Sequence, residues 1–220
     1  MNFGNLKRVV AEGYNRAADR YETWAAGIYS PERERVTALL LDTLPQGSRL
    51  LELGCGNGEP TTRLLSARFD VTGVDISGEQ IRRARRAVPD ATFIESDMAS
   101  LSFPEGSFAG ILALFSIIHL PSEEHPAMFR SILRWLEPGG LFVFNSGANA
   151  TYRGYDDDWL GGPMFWSHYD PETTRKLVLD AGFEILSQRV ETINEGHGAA
   201  TFVWWTACKP EANAGNDGSN

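Results

Sequence analysis

A glycine-rich loop carries the first chemical signal in this chain. Residues 52–58 read ELGCGNG, with glycines at 54, 56 and 58 and a carboxylate, Glu52, two positions before the first of them. Glycines let the backbone approach a ligand without contact from a Cβ atom. A dinucleotide-binding loop has the spacing G-x-G-x-x-G and holds a pyrophosphate, but here Glu59 occupies the place of the third glycine. Glu52 would repel a pyrophosphate and attract a ligand that carries positive charge.

Two further acids follow apolar runs that resemble strands. Asp75 ends the run FDVTGVDI, and Asp97, followed by Met98, ends the run ATFIESD. A carboxylate at the tip of the second strand can accept hydrogen bonds from both hydroxyls of a ribose. Asp97 would accept the amino hydrogen of an adenine, against which Met98 would pack. A lone acid at a strand end is more often a cap, but three acids at the ends of successive strands after a glycine loop are hard to explain in that way. Asp75 alone does not distinguish the two cofactors, whereas Glu52 counts for S-adenosylmethionine and against a nicotinamide dinucleotide.

These residues lie in an alternating pattern of strands and helices. Short apolar runs are each followed by a helix-like stretch, which predicts an α/β fold with a mainly parallel sheet. The predicted strands cover residues 48–53, 69–76, 91–97, 108–116, 141–147, 184–190 and 200–209. The carboxyl ends of parallel strands meet at one edge of the sheet, so the loop and the acids are predicted to lie together.

Two segments outside this pattern are candidates for closing the site. Residues 1–45 are predicted to form two helices, and Tyr14 and Tyr21 are seven positions apart, on nearly the same helix face. Residues 148–169 are rich in Gly, Tyr, Trp and Asp and show no clear period. An irregular stretch of this length is typically a lid or a binding loop.

The ordered motifs ELGCGNG, GVDIS, ESDM, FSIIHLP and LEPGGLFVF resemble those of class I S-adenosylmethionine-dependent methyltransferases. The resemblance extends from about residue 10 to residue 209. It implies a Rossmann-like sheet of seven mostly parallel strands in the order 3-2-1-4-5-7-6, with strand seven antiparallel, helices on both faces and an N-terminal helical cap. It also implies a transferase of the small-molecule branch, with S-adenosyl-L-methionine as its cofactor.

The resemblance also implies a set of cofactor contacts. Tyr14 and Tyr21 would close over the methionine end, and Asp75 would bind the ribose. The predicted cofactor site comprises Tyr14, Tyr21, Glu52, Gly54, Cys55, Gly56, Asp75, Ile76, Asp97, Met98 and Phe115.

Histidines are the candidate general bases for methyl transfer to a hydroxyl or phenol, a step to which such a base contributes roughly 10²–10⁴-fold. His168 lies among aromatic residues in the segment 148–169, and His119 follows the fourth strand, so both are predicted to be catalytic. His125 is predicted to lie at the surface, at the start of a helix. Each of these histidines has an alternative interpretation as a packing or capping residue.

Aromatic residues are dense in the predicted lid. We expect Tyr152 and Trp166, together with His197 in the turn between the last two strands, to contact the substrate. The alternative is that these rings only form a local core. Asp156, Asp157 and Asp158 are consecutive and point in different directions on a loop, so no metal site is predicted there.

Length, composition and charge limit the classes of protein to which this chain can belong. The chain has 220 residues and a net charge of −9, which fits one α/β domain and disfavours a nucleic-acid partner. No apolar run approaches membrane-spanning length, and no secretory signal is apparent. We expect one cytoplasmic methyltransferase domain over residues 1–209, a disordered tail over 210–220, a small-molecule substrate, no membrane partner and a monomer or homodimer.

The expected activity is methyl transfer to an oxygen or nitrogen atom of a small, aromatic or apolar metabolite. Two alternatives stay open at this point. The first is a nicotinamide-dependent oxidoreductase, which the glycine spacing disfavours. The second is a protein of the same fold that binds the cofactor without catalysing transfer, since methyl transfer requires few side chains and a fold does not fix a reaction.

Overall fold

The computed structural model describes residues 3–196 and 198–211, with side chains from Asn5 onward. The helices are α1 (Phe3–Ala26), α2 (Pro31–Thr43), α3 (Thr61–Ser66), α4 (Gly78–Ala87), α5 (His125–Trp135) and α6 (Pro171–Ala181). The strands are β1 (Arg49–Leu53), β2 (Asp70–Asp75), β3 (Thr92–Glu95), β4 (Phe108–Ala113), β5 (Leu136–Gly147), β6 (Tyr152–Trp159), β7 (Gly162–His168), β8 (Glu184–Asn194) and β9 (Ala199–Cys208). Most of the predicted tail lies outside the described residues.

The main sheet has seven strands in the order β3-β2-β1-β4-β5-β9-β8. Neighbours from β3 to β5 pair in parallel, whereas β9 is antiparallel to both β5 and β8. Because β6 and β7 form a separate two-stranded sheet, β8 and β9 are the sixth and seventh strands of the main sheet. The predicted order 3-2-1-4-5-7-6 is therefore confirmed. The order reverses between β1 and β4, and such a switch point leaves a crevice at the carboxyl ends of the strands.

Helices cover both faces of the sheet. On one face, α5 and α6 bury Phe129, Ile132 and Val178 against aromatic residues of β5 and β9. On the other face, α2 and α3 bury Leu40 and Leu65 against β1, β2 and β4. All six residues of β4 are buried, which explains its continuous apolar sequence.

Residues 148–169 are not irregular, so the prediction of a structureless segment is wrong, whereas their role as a lid over the substrate stays a prediction. They contain the antiparallel hairpin of β6 and β7, with Tyr152 opposite His168 and a register shift before Trp159. The side chains of β6 are largely exposed on both of its faces, so its sequence carries no apolar alternation by which a strand is recognised. In β7, Met164 and Phe165 pack against apolar residues of α1.

The hairpin and α1 touch through their backbones at Gly13. A Cβ atom on Gly13 would lie 1.9 Å from the carbonyl oxygen of Pro163, a distance that no side chain can occupy. Glycine at this position therefore lets the N-terminal helix rest directly on β7.

Two smaller predictions also require correction. His125 is buried rather than at the surface, because Tyr169 covers the start of α5, with ring centroids 6.0 Å apart. The sequence Pro138-Gly139-Gly140 predicts that the helix after β4 stops at Pro138. Helix α5 instead ends at Trp135, because Leu136 already pairs with Phe108 in the sheet. Pro138 then lies beside an irregularity in the β4–β5 register, where a missing N–H is tolerated.

Candidate active site

The glycine loop leaves the sheet at the switch point between β1 and β4. Gly54 and Gly56 have φ angles of 77° and 54°, in the left-handed region that favours glycine. The Gly54 and Cys55 N–H groups both donate to the Val74 carbonyl, at 2.7 and 2.9 Å. A Cβ atom on Gly54 would lie 2.3 Å from Cβ of Ser116, so the loop is held between β2 and the turn after β4.

Two carboxylates, the buried Glu52 and the half-buried Asp75, flank this loop. Glu52 is 4% exposed and accepts a hydrogen bond from Thr62 Oγ1 at 2.5 Å. Asp75 accepts the N–H groups of Gly56 and Ser77, each at 2.9 Å. Burial raises the pKa of Glu52 to about 7 and that of Asp75 to about 6. Within residues 3–196 and 198–211 neither acid forms an ion pair, and both are suited to a ligand that brings donors and positive charge.

Three connected spaces open at this edge of the sheet. The strand-end cleft lies over β2 and β3, the loop cleft lies beside the glycine loop, and a large cavity of about 700 Å³ lies between α1, the hairpin and β9. The strand-end cleft is lined by Tyr14, Tyr21, Gly54, Gly56, Asp75, Ile76, Asp97, Met98 and Phe115, and the loop cleft by Glu52 and Cys55. The structure thus brings all eleven residues of the predicted cofactor set to two adjoining clefts.

Helix α1 covers the strand-end cleft and is fastened there by Lys7. The Lys7 ammonium lies 2.8 Å from Asp97 and 2.5 Å from Glu124. Burial by itself lowers the pKa of Lys7, but hydrogen bonds to the two carboxylates raise it overall. Asp97 also caps the short turn Met98–Ser100 by accepting the Ala99 N–H at 2.9 Å. The carboxylate of Asp97 therefore has a capping role in addition to its place in the cleft.

The loop cleft contains one cation that the sequence motifs do not reveal. Arg33, in the first turn of α2, lies with its guanidinium 5.0 Å from the centre of the Phe115 ring. Among the described residues it forms no ion pair, so it is available to an anionic group. Cys55 lines this cleft and also packs in the apolar cluster of Ile81 and Phe93. Burial raises the pKa of the Cys55 thiol well above its ordinary value.

Four aromatic rings form a continuous wall beside these clefts. The ring centroids of Tyr14 and Tyr21 lie 5.2 Å apart, which confirms their predicted common face on α1. Trp159, from the end of β6, packs on both Tyr14 and Trp24. Its ring centroid lies 5.5 Å from that of Tyr14 and 5.6 Å from that of Trp24. These separations leave no space between the rings, so the four form a wall and do not enclose a cage.

His119 is fixed at both ring nitrogens. Its Nδ1 lies 2.8 Å from the Phe165 carbonyl, which can only accept, so Nδ1 carries the hydrogen. Its Nε2 lies 2.9 Å from the Tyr14 hydroxyl and therefore accepts from it. Burial lowers the pKa of His119 to about 4 and raises that of Tyr14 well above its ordinary value. Both groups are neutral near pH 7.

His168 has a different environment, in the wall of the large cavity. Its Nδ1 donates to the Tyr169 carbonyl at 3.1 Å. A Cβ atom on Gly147 would lie 2.3 Å from Nε2, so this edge of the ring passes directly over a glycine. Tyr152 and Trp166 line the same cavity, with the half-exposed Tyr152 ring 5.8 Å from that of His168. His197 lies outside the described residues.

Several residues of the site were missed from the sequence. Lys7 precedes Tyr14 by seven positions and Trp24 follows Tyr21 by three, so both share the face of the two tyrosines, and the helical period contained this signal. Arg33 and Trp159 have no such signal, because each reaches the site only through the packing of distant segments.

In residues 3–196 and 198–211, no group of three or more His, Cys, Asp or Glu side chains is arranged to bind a metal ion. No helix in the same part of the chain is long and apolar enough to cross a membrane.

Residues 50–140 match the family described as "Methyltransferase domain". The 2-methyl-6-phytyl-1,4-hydroquinone methyltransferase of Synechocystis sp. is 39% identical over 180 residues, which cover 76% of this chain and 52% of that relative. The 27-O-demethylrifamycin SV methyltransferase of Amycolatopsis mediterranei is 34% identical over 152 residues, which cover 60% of this chain and 55% of the relative. The chain thus spans about half the length of these two relatives.

Among solved structures, magnesium protoporphyrin IX methyltransferase from Synechocystis with bound S-adenosylmethionine has a TM-score of 0.70 to this chain. The identity is 19%, and the similarity covers 93% of this chain and 97% of that one, which shows a shared fold. The matched domain, the sheet order and the two acid-lined clefts at the switch point agree with one another. Residues 50–140 thus form a methyltransferase domain, and the chain has the fold of the class I S-adenosylmethionine-dependent methyltransferases.

Proposed function

We propose that this protein transfers the methyl group of S-adenosylmethionine to an oxygen or nitrogen atom of a small, aromatic or apolar metabolite. The observation that carries the proposal is the large cavity of about 700 Å³, which adjoins both cofactor clefts and has His168 in its wall. Its remaining lining is mostly aromatic and aliphatic, which is typical of a pocket for an organic ligand.

The residues of the two clefts fit the cofactor. Glu52 would bind its ammonium group and Arg33 its carboxylate, since they are the buried acid and the unpaired cation of the loop cleft. Asp75 would accept from the ribose hydroxyls, and Asp97 and Met98 would hold the adenine in the strand-end cleft. When bound, the cofactor would supply a methyl group on a sulfonium, and the neutral thioether of S-adenosylhomocysteine would be the leaving group as the sulfur–carbon bond breaks. The protein then needs chiefly to align the acceptor and to exclude water.

His119 supports this alignment by holding Tyr14. Because both of its ring nitrogens are engaged and its pKa is about 4, His119 does not serve as the base that the sequence suggested. A neutral imidazole is favourable here, since a second positive charge next to a sulfonium would be repelled. Because the Tyr14 hydroxyl donates its proton to His119, its oxygen can still accept a hydrogen bond from a ligand in the strand-end cleft that Tyr14 lines.

His168 is the general base in this proposal. The Tyr169 carbonyl fixes the hydrogen on Nδ1, which leaves Nε2, beside Gly147 in the cavity wall, as the acceptor nitrogen. An acceptor hydroxyl that donates to Nε2 would lose its proton there as the carbon–oxygen bond forms. An amine acceptor would lose its proton to the same atom after transfer.

The names of the two relatives are consistent with such a substrate. One is named for a 2-methyl-6-phytyl-1,4-hydroquinone and the other for 27-O-demethylrifamycin SV, so both names give an organic small molecule as the acceptor. A cavity of this size with walls formed by Trp166, Phe202 and Trp159 suits an acceptor of that kind.

The experiment is incubation with radiolabelled S-adenosylmethionine and a panel of phenols, amines, thiols and carboxylates that carry aromatic or alicyclic rings. We expect S-adenosylhomocysteine and a labelled product with phenols or amines, and a loss of both with His168→Ala. Failure across the panel, with S-adenosylhomocysteine still bound, would indicate a binding protein without transfer activity. Tight binding of NADH and none of S-adenosylhomocysteine would support the oxidoreductase instead.

A further inference from the structure

Phe115 has a backbone conformation that its side chain disfavours. Its φ angle is 54°, and it is one of two non-glycine residues with positive φ in the described part of the chain. A β-carbon in this region crowds the following carbonyl, so the conformation persists only when the surroundings impose it. Strained residues of this kind are concentrated at functional sites.

Asn145, on β5, is the residue that imposes this conformation. Its Oδ1 accepts the Phe115 N–H at 2.6 Å, a bond that only the carbonyl side of the amide can make. Asn145 is fully buried, and its Nδ2 has no partner among the described residues. A buried amide that satisfies one backbone donor while its own donors stay unpaired is costly for folding. This cost points to a role in holding Phe115.

The Phe115 ring is equally constrained. The ring packs edge to face against Phe202 and Trp204, both on β9, with centroid distances of 5.0 and 5.4 Å. The Arg33 guanidinium covers the ring at 5.0 Å. Backbone and ring are therefore fixed together, and the ring position depends on the bond from Asn145.

Phe115 stands where the three spaces of the site meet. Of the described residues, Phe115 and Tyr21 are the two that line the strand-end cleft, the loop cleft and the large cavity. A cofactor with its adenosine in the first cleft and its methionine in the second has its sulfonium near this junction. Transfer of its methyl group to an acceptor in the large cavity would pass through the same junction.

We propose that Asn145 is a positioning residue, which fixes Phe115 so that Phe115 and Tyr21 form the aperture between methyl donor and acceptor. The role of the large cavity in this inference rests on the proposed function. The aperture admits an acceptor atom at the exposed edge of a ring and excludes one that bulky neighbours flank. Phe115 is accordingly a determinant of which position on the acceptor is methylated.

The test compares the affinities of S-adenosylmethionine and S-adenosylhomocysteine, which differ in the methyl group and its charge, by titration calorimetry. For Asn145→Leu we expect S-adenosylmethionine to bind roughly fivefold more weakly, while the affinity for S-adenosylhomocysteine changes by less than about twofold. Asn145→Asp keeps an acceptor oxygen for the Phe115 N–H and should restore the original ratio. Phe115→Leu, with Asn145 intact, should shift the ratio in the same direction as Asn145→Leu.

Three results would overturn the proposal. If these variants lost affinity equally for S-adenosylmethionine and S-adenosylhomocysteine, Phe115 would only be part of the wall of the cofactor cleft. Unchanged affinities in Asn145→Leu and Phe115→Leu, or an Asn145→Asp protein as impaired as Asn145→Leu, would remove the positioning role. If Asn145→Leu fails to fold, Phe115→Leu and Asn145→Asp still decide the question. The affinity ratio requires no acceptor, so an absence of methyl transfer in the substrate panel contradicts the proposed function and leaves this test valid.

Discussion

The cofactor clefts and the large cavity adjoin one another, yet the chain builds them in different ways. The clefts consist of strand ends and a tight loop, in which Gly54 and Gly56 contribute backbone and Asp75 bonds directly to that backbone. The cavity is walled by side chains from α1, the hairpin and β9, which are distant in sequence. The donor side is therefore fixed by the sheet, whereas the acceptor side depends on tertiary packing.

This difference indicates that the two sides can be perturbed separately. A change in the loop or at a strand end should affect cofactor binding or folding, because backbone geometry is altered. A change in the cavity wall should affect turnover and leave cofactor affinity in place. The following predictions test that separation.

The largest effect is expected on the acceptor side, for His168→Ala. Removal of the proposed base should reduce turnover by about 10²–10⁴-fold, with the affinity for S-adenosylhomocysteine nearly unchanged. The measurement is steady-state product formation with the best acceptor of the panel, paired with calorimetry. Added imidazole should partly restore the rate of His168→Ala, since the variant leaves space beside Gly147. A parallel loss of cofactor affinity would contradict the separation of the two sides.

On the donor side, Gly54→Ala should destabilise the fold by about 2–5 kcal/mol, the sum of a left-handed alanine and forced overpacking. The added Cβ would lie 2.3 Å from Cβ of Ser116. Gly47→Ala is the matched control, because Gly47 has a φ of 80° and a Cβ atom added there would meet no atom within 4 Å. Chemical denaturation should show a clearly smaller loss for Gly47→Ala. Equal losses would mean that conformational strain alone, without crowding, explains the effect.

Asp75→Ala should weaken binding of S-adenosylhomocysteine by about 1–3 kcal/mol, through loss of a charged acceptor for the ribose. Asp70→Ala provides the control, since Asp70 is exposed at the opposite end of the same strand. Calorimetric titration of both variants, after their folding is verified by circular dichroism, gives the comparison. Wild-type affinity in Asp75→Ala would place the ribose elsewhere.

The smallest effect concerns pH. Because burial raises the pKa of Glu52 to about 7, this acid is partly protonated in the free protein near neutrality. A cofactor ammonium favours the charged carboxylate, so binding releases a proton and the affinity rises with pH. We expect a roughly tenfold gain in S-adenosylhomocysteine affinity from about pH 6 to about pH 8. Glu52→Gln should flatten this dependence, and a flat curve in the unaltered protein would show that Glu52 does not meet the ammonium.

The difference between the cofactor clefts and the large cavity also explains which parts of the site can be predicted from the sequence. The strand order and the gathering of Glu52, Asp75 and Asp97 follow from local patterns, because a parallel sheet places successive strand ends side by side. Within the cofactor set, Tyr14 and Tyr21 also follow from a local period, that of α1.

The acceptor side is less accessible to such reasoning. The sequence predicts an irregular lid in place of the hairpin because β6 is polar on both faces, and Trp159 reaches α1 through a register shift that no sequence period reveals. It predicts a base at His119 because the neighbours of this ring in space, Tyr14 and the Phe165 carbonyl, are 105 and 46 positions away. The candidates are found in the sequence, but their hydrogen-bond partners are not.

The contact at Gly13 has a consequence for engineering. Since Pro163 of the hairpin lies against the bare backbone of α1, the two segments form a matched pair that must be exchanged together. A hairpin transplanted from a relative with another acceptor would seat on this chain only if glycine stays at the crossing. Redesign of acceptor choice is therefore best attempted by grafting residues 3–26 and 148–169 as one unit onto the unchanged sheet.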